Sequence, residues 1–257
     1  MISKDNFYKI FPFKVEDEIA ARIYDKYVIA DRSGNSSVVK YFLTPQYWSS
    51  LERFCRDNSI AYLSEGFFEE AQRKIFIFNY EEEDYIPAVV LKIINKSKFS
   101  KLMHKDYLGA LLALGIERHT VGDIIVSDNI AYVAVLEDIS QYVIDNLITI
   151  GKSPCLIEVL TNIQELPTVS KKEMEIIVTS RRLDNFISSI CGVSRSEAIK
   201  LIDQGKVLLE YLETREKSAL VKDNSTITVR GYGKFDIDNT IRRTKSDRQI
   251  VRVHKYI

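Results

Sequence analysis

No stretch of this chain approaches the roughly 20 consecutive apolar residues that a membrane-crossing helix needs, so no membrane partner is expected. The opening MISKDNFYKIF has no long apolar run, and a secretory signal peptide is not expected. Cysteine is scarce. Cys55, Cys155 and Cys191 are scattered and form no C-x-x-C pair, which excludes a disulfide framework and a zinc knuckle. A cytoplasmic location fits that usage, because thiols stay reduced there. His104, His119 and His254 are isolated from one another, so no metal site is expected, and no cofactor motif stands out. Internal repeats and low-complexity tracts are also absent.

Net charge is missing too, but only on average. Lys+Arg and Asp+Glu both number 36. Residues 1–170 hold 18 basic and 24 acidic side chains, whereas 171–257 hold 18 basic and 12 acidic. A basic module at the carboxy-terminal end suits a polyanion. At 257 residues the chain exceeds one usual core, so about two or three domains are expected.

The pattern along the chain predicts an α+β protein. Residues 1–82 read as an α/β domain: a helix over 15–30, a strand at 36–43, and a helix at 44–58 with Thr44 as its cap and Pro45 at its first position. A short strand, a polar turn around 69–73 and the strand KIFIFNY follow. EEED at 81–84 marks a boundary. Residues 83–168 give strand (85–94), helix (104–116), the hairpin 121–126 and 130–136, helix (137–150) and strand (154–160). That β-α-β-β-α-β order is ferredoxin-like, as in RNA recognition motifs. The stacking signature of those motifs is missing from IAYVAVL, which offers only Tyr132, so contact of this domain with RNA stays open. Pro167 and the polar run ELPTVSKKEME read as a linker, with a third segment beginning near Ser170.

The third segment carries the chemistry. In RRLDNFISSI, Leu183, Phe186, Ile187 and Ile190 share one helical face. In SRSEAIKLIDQG, Ala198, Leu201 and Ile202 make the matching stripe, and CGVS joins the two as a hairpin. Ser194 and Glu197 have capping-box spacing, and Gly205 sits where a helix needs a left-handed residue. Asp184 reads as an acid favoured at a helix start. Arg182, Arg195, Lys200 and Lys206 are left to face outward. VLLEYL and STITVRGYGKF read as strands, with Arg230 and Lys234 beside Gly231 and Gly233. A helix start flanked by arginine suits phosphate. The candidate RNA-binding set is Arg181, Arg182, Ser194, Arg195, Ser196, Lys200, Lys206, Arg230, Gly231 and Lys234. Reversing Arg182 and Arg195 to glutamate is expected to abolish RNA association and leave the fold intact.

Two resemblances follow. R-L-D at 182–184, S-R-S at 194–196 with Ala198, L-I at 201–202, G-K-V at 205–207 and V-R-G-x-G-K-F at 229–235 resemble the ribosomal-protein S-four type RNA-binding domain, with its αL motif. Glu210 departs from that family's usual Val-Asn-Gly turn, so no binding role is carried onto 209–211. The domain is expected over 172–240, with 241–257 as a basic tail or strand. FLTPQYW (42–48), the run K-L-x-H-K-D-Y-L-G-A-L-L-A-L-G-I-E-R with V-G-D-I (101–124), and AYVAVLEDISQYVIDNL (131–147) resemble the YlmH family. That resemblance implies association with the large ribosomal subunit, with ribosomal RNA and, by extension, tRNA as partners, in quality control of stalled, peptidyl-tRNA-bearing subunits; a monomer is expected. No catalytic residue is expected. His104 and Asp106 lack a nucleophile or third partner, so a structural reading is favoured. The alternatives are an RNA-modifying enzyme of pseudouridine-synthase type, whose catalytic aspartate has an R-L-D context, and a cell-division adaptor.

Overall fold

The computed structural model describes residues 2–13, 17–168 and 171–256, and the chain forms two compact units, Met1–Thr168 and Val169–Ile257. Among the described residues no helix is long and apolar enough to cross a membrane.

The first unit opens with α1 (Lys4–Tyr8), α2 (Asp17–Ser33), β1 (Ser37–Leu43), α3 (Pro45–Asp57), β2 (Tyr62–Glu65) and β3 (Lys74–Phe78). Residues 15 and 16 of the helix expected over 15–30 lie outside the described residues. The strands form an antiparallel sheet in the order β1-β3-β2. Pro45 does open α3, but the Thr44 hydroxyl makes no capping bond. Phe7 is fully buried against Phe11, Tyr24, Tyr27 and Phe54.

The unit continues with β4 (Ala88–Asn95), α4 (His104–Ala113), β5 (Val121–Ser127), β6 (Ile130–Leu136), α5 (Glu137–Asn146), β7 (Thr149–Ile150) and β8 (Ser153–Val159). The sheet order is β5-β6-β4-β8-β7, all antiparallel. Its first four strands have the split βαβ order of a ferredoxin-like fold. Helix α5 ends four residues before the expected 150. Ile148 is exposed and Ile150 buried, an alternation that lets Thr149 and Ile150 pair with β8 across a turn at Gly151. Asp106 accepts the Met103 N–H at 2.8 Å and caps α4, which is the structural role expected of it.

Both faces of this sheet are covered. Leu91, Ile93 and Val133 pack with Tyr107 and Leu111 of α4 and Val143 of α5. On the other face Val90, Tyr132 and Ala134 pack with Phe42, Phe68, Ile75 and Ile77. A Cβ at Gly122 would lie 2.8 Å from the Phe42 ring and 2.9 Å from the Ala134 Cβ, so the contact accepts only glycine. Asp123 accepts the Gln72 and Arg73 N–H groups at 2.7 and 2.9 Å, which fixes the segment before β3 to β5. Tyr132, the one candidate stacking residue, is thus a core side chain, 7% exposed.

The second unit contains β9 (Lys171–Val178), α6 (Leu183–Cys191), α7 (Arg195–Asp203), β10 (Val207–Leu209), β11 (Leu212–Glu213), β12 (Ser225–Val229), β13 (Gly233–Arg243) and β14 (Gln249–Tyr256). They form one antiparallel sheet, β11-β10-β12-β13-β14-β9. The polar run read as linker is, from Lys171, the edge strand β9. It buries Ile176 and Val178 and leaves its other face charged. Residues 241–257, expected as a tail or strand, finish β13 and form β14 between β13 and β9; Ile257 lies outside the described residues. So does Ser170, the expected start of this segment. The predicted stripes of α6 and α7 pack on this sheet against Val207, Ile227, Val229, Phe235, Val251 and Val253.

Candidate nucleic-acid interface

The helical hairpin α6–α7 is organised around a buried acid. Asp184 is 1% exposed in the first turn of α6. Arg182 donates to it from Nε at 3.1 Å and from Nη2 at 3.2 Å. Arg195, at the start of α7, donates from Nε at 3.0 Å and Nη2 at 2.9 Å. Burial alone raises the Asp184 carboxyl, but the hydrogen bonds from Arg182 and Arg195 outweigh it and hold the carboxyl below its ordinary value. The sequence reading had Arg182 and Arg195 free and Asp184 as a simple helix-start charge. The structure corrects both: one carboxylate fixes two guanidinium groups side by side. A buried carboxylate needs such partners, because a lone one is very costly. Reversing both arginines to glutamate is therefore expected to destabilise the fold as well as to remove positive charge.

Each arginine keeps donors for a ligand. The Arg195 side chain is 57% exposed and that of Arg182 36%. Two charges shared with one carboxylate leave an excess of +1 on a fixed, partly exposed fork, which suits a phosphate oxygen.

The neighbouring groups divide into two kinds. The Ser194 hydroxyl accepts the Glu197 N–H at 3.2 Å and lies 2.9 Å from the Ser196 hydroxyl, so the cap at α7 forms. Glu197 turns to Lys200 at 3.5 Å on the exposed face. Gly205 has φ +67°, as its place after α7 requires. Lys206 and Arg230 are exposed and adjacent, joined by an Arg230 N–H to Lys206 carbonyl bond of 2.9 Å. Gly231 is exposed at φ +89° with open space around it, so the backbone conformation, not a close approach, calls for glycine.

Arg181 and Lys234 are turned to internal work. Arg181 donates to the Val221 carbonyl at 2.8 Å, pairs with Asp223 at 2.7 Å and lies over the Phe186 ring. The Lys234 ammonium lies over the Tyr256 and Tyr211 rings, 4.3 and 5.4 Å from their centroids. Glu210 accepts the Thr226 N–H at 2.8 Å, so its charge ties the β10–β11 turn to β12.

Sequence reasoning missed the loop before β12. Leu183 and Asp184 donate their N–H groups to the Ala219 and Lys217 carbonyls at 2.9 and 3.1 Å. That closes the start of α6 to an anion and sets the backbone of Lys217, whose side chain is exposed, against Asp184. No local pattern signals contacts between residues 36 and 33 apart.

Fold and site together define a multidomain α+β protein with a basic helical hairpin on its carboxy-terminal sheet. Residues 81–164 match the family described as "Putative RNA-binding domain in YlmH". The chain is 25% identical over 212 residues to "Ribosome-associated protein quality control protein P2" of Bacillus subtilis (strain 168), covering 80% of this chain and 82% of that protein. It also aligns with the solved structure "Cell division protein ylmH from Streptococcus pneumoniae", at 22% identity and a TM-score of 0.49, covering 60% of this chain and 97% of that one. The match over 81–164 and the Bacillus subtilis relative bear out the resemblance to the YlmH family read from the sequence, with 101–124 and 131–147 inside the matched segment.

Proposed function

We propose that the chain is a non-catalytic RNA-binding protein of translation quality control, which binds ribosomal RNA, and tRNA with it, on large ribosomal subunits carrying peptidyl-tRNA. The observation that carries this reading is the Arg182–Asp184–Arg195 cluster, which presents two fixed guanidinium groups at the start of α7. The interface comprises these arginines with Ser194, Ser196, Lys200, Lys206, Arg230 and Gly231. Arg181 and Lys234 are left out because both are engaged inside the protein. The name of the Bacillus subtilis relative, a ribosome-associated quality control protein, supports the same reading.

The enzyme alternative loses its main argument. An R-L-D aspartate that is 1% exposed and bonded to two arginines is closed to a substrate. The test is co-sedimentation of the full chain with small subunits, large subunits and large subunits bearing peptidyl-tRNA. The reading expects binding to the large subunit, strengthened by peptidyl-tRNA. Binding to none of the particles would overturn it.

A further inference from the structure

The first unit contains a cationic cavity that the RNA-binding reading does not use. It has a volume of about 280 Å3 and lies where the stretch 42–48 meets Arg118. Tyr41, Thr44, Tyr47, Arg73, Arg118 and His119 are among the residues that line it.

Its electrostatics are unbalanced. The Arg73 guanidinium donates to the Phe42 carbonyl at 3.2 Å, and that of Arg118 to the Val121 and Gly122 carbonyls. Neither forms an ion pair with a carboxylate among the described residues. The nearby acid, Asp123, spends one oxygen on two backbone N–H groups. Burial first, and then the charge of Arg73, bring Arg118 down to about 10 against the opposing pull of Asp123, whose single charge faces both arginines. Two arginines forced this close in a half-buried space favour an anion between them. Of the acids near the rim, Glu117 is paired with His119 at 2.8 Å, and Glu18 acts on both His119 and Tyr41.

Three further features point the same way. The 13-residue α3 begins at the cavity, and its Thr44 hydroxyl makes no capping bond. A helix start carries partial positive charge; here Pro45 has no N–H and the Tyr47 and Trp48 N–H groups donate to the Thr44 carbonyl at 2.9 and 3.1 Å, so Gln46 supplies the donor at this end. The Tyr41 side chain is 6% exposed, and its buried hydroxyl has no hydrogen-bond partner. A buried hydroxyl without a partner is costly, and a polar ligand would supply one. The walls are aromatic: the Tyr41 ring already packs against the His119 ring, centroids 3.7 Å apart, and the Arg22 guanidinium, 5.1 Å from its centroid, and Tyr47 also lines the space. Aromatic walls accept the face of a base.

We propose that this cavity binds one nucleoside monophosphate unit, with the phosphate on Arg73, Arg118 and the start of α3, the Tyr41 hydroxyl hydrogen-bonded to the ligand, and the base against Tyr47. The volume of about 280 Å3 is at the small end of ligand sites, which suits a single nucleotide unit. The unit is a free mononucleotide or the terminal residue of an RNA strand, since both offer the same groups.

The test is titration of the full chain with each of the four nucleoside 5′-monophosphates, with adenosine, with inorganic phosphate and with a 5′-phosphorylated trinucleotide. Saturable binding of at least one monophosphate is expected, with adenosine at least about tenfold weaker. Arg118→Gln should weaken the monophosphate at least about tenfold, with an unchanged melting curve as control. Because Arg118 also holds two carbonyls, the wild-type protein supplies a second readout. The chain has three histidines, so their ring proton signals are readily resolved by NMR. His119 is held below its ordinary pKa by burial first, and also by Arg22 and Arg73, against the opposing pull of Glu117 and Glu18. A bound phosphate should raise its midpoint. A trinucleotide that binds at least as well as the monophosphate assigns the site to an RNA end, and one that fails to compete assigns it to a free nucleotide. Failure of every monophosphate to bind at millimolar concentration would overturn the proposal. So would an unmoved His119 midpoint, equal affinity for adenosine, or phosphate binding alone. Lys206→Ala with Arg230→Ala should leave this binding unchanged, which separates the cavity from the RNA interface.

Discussion

Asp184 behaves as a structural counter-ion, and its removal should be felt in stability before it is felt in binding. Asp184→Asn leaves two guanidinium groups without their carboxylate and is expected to cost about 3 kcal/mol at neutral pH. The pH dependence follows from the arginine bonds. The folded pKa of Asp184 lies below its unfolded value. Its stabilisation is therefore fully present above the unfolded carboxyl range, about pH 4, and is lost as pH falls through the folded value. Urea melts across the acid range should show a shallower decline for Asp184→Asn than for the wild type, and parallel declines would count against the clamp. The sequence displayed Arg182, Asp184 and Arg195, but nothing local said that they share one site. The same holds for Arg181 and Lys234, whose partners Asp223 and Tyr256 lie 42 and 22 residues away.

At the scale of elements, the helical hairpin was the most legible part of the chain. Its burial repeats at i, i+3, i+4 and i+7, and its cap and its left-handed glycine are local features. Gly205→Ala should cost about 1–2 kcal/mol in a denaturant melt, because φ is +67° and a Cβ would stand 2.5 Å from a Glu213 carboxylate oxygen. Gly109→Ala, in an exposed turn of α4 with nothing near its Cβ, should instead stabilise by about 0.5–1 kcal/mol. β9 was illegible for the opposite reason. KKEMEIIV reads as polar linker until β14 supplies its partner, about 75 residues later in sequence. The middle sheet gives an intermediate case. Its strand order could be read from the sequence, but the cover of its second face by Phe42, Phe68, Ile75 and Ile77 could not. Tyr132→Ala should cost about 3 kcal/mol of stability and leave RNA affinity unchanged, as titration of a labelled RNA would show.

For the whole molecule, the charge split of the sequence becomes a division of labour. The acidic first unit has aromatic cores and a closed middle sheet, while the basic second unit carries the exposed cations of the hairpin. Arg182 and Arg195 are poor positions for a clean test, since both also stabilise Asp184. Lys206 and Arg230 are exposed, adjacent and structurally idle in their side chains, so Lys206→Ala with Arg230→Ala removes interface charge without touching the core. The decisive measurement is the affinity for the large ribosomal subunit as a function of salt, for the wild type and this double variant. Phosphate contacts make the logarithm of affinity fall linearly with the logarithm of salt, by roughly one unit of slope per contact. The wild type should show a steep decline, and the double variant should bind more weakly with a slope reduced by about two. A flat response in the wild type, or an unchanged slope in the variant, would contradict RNA binding through this face.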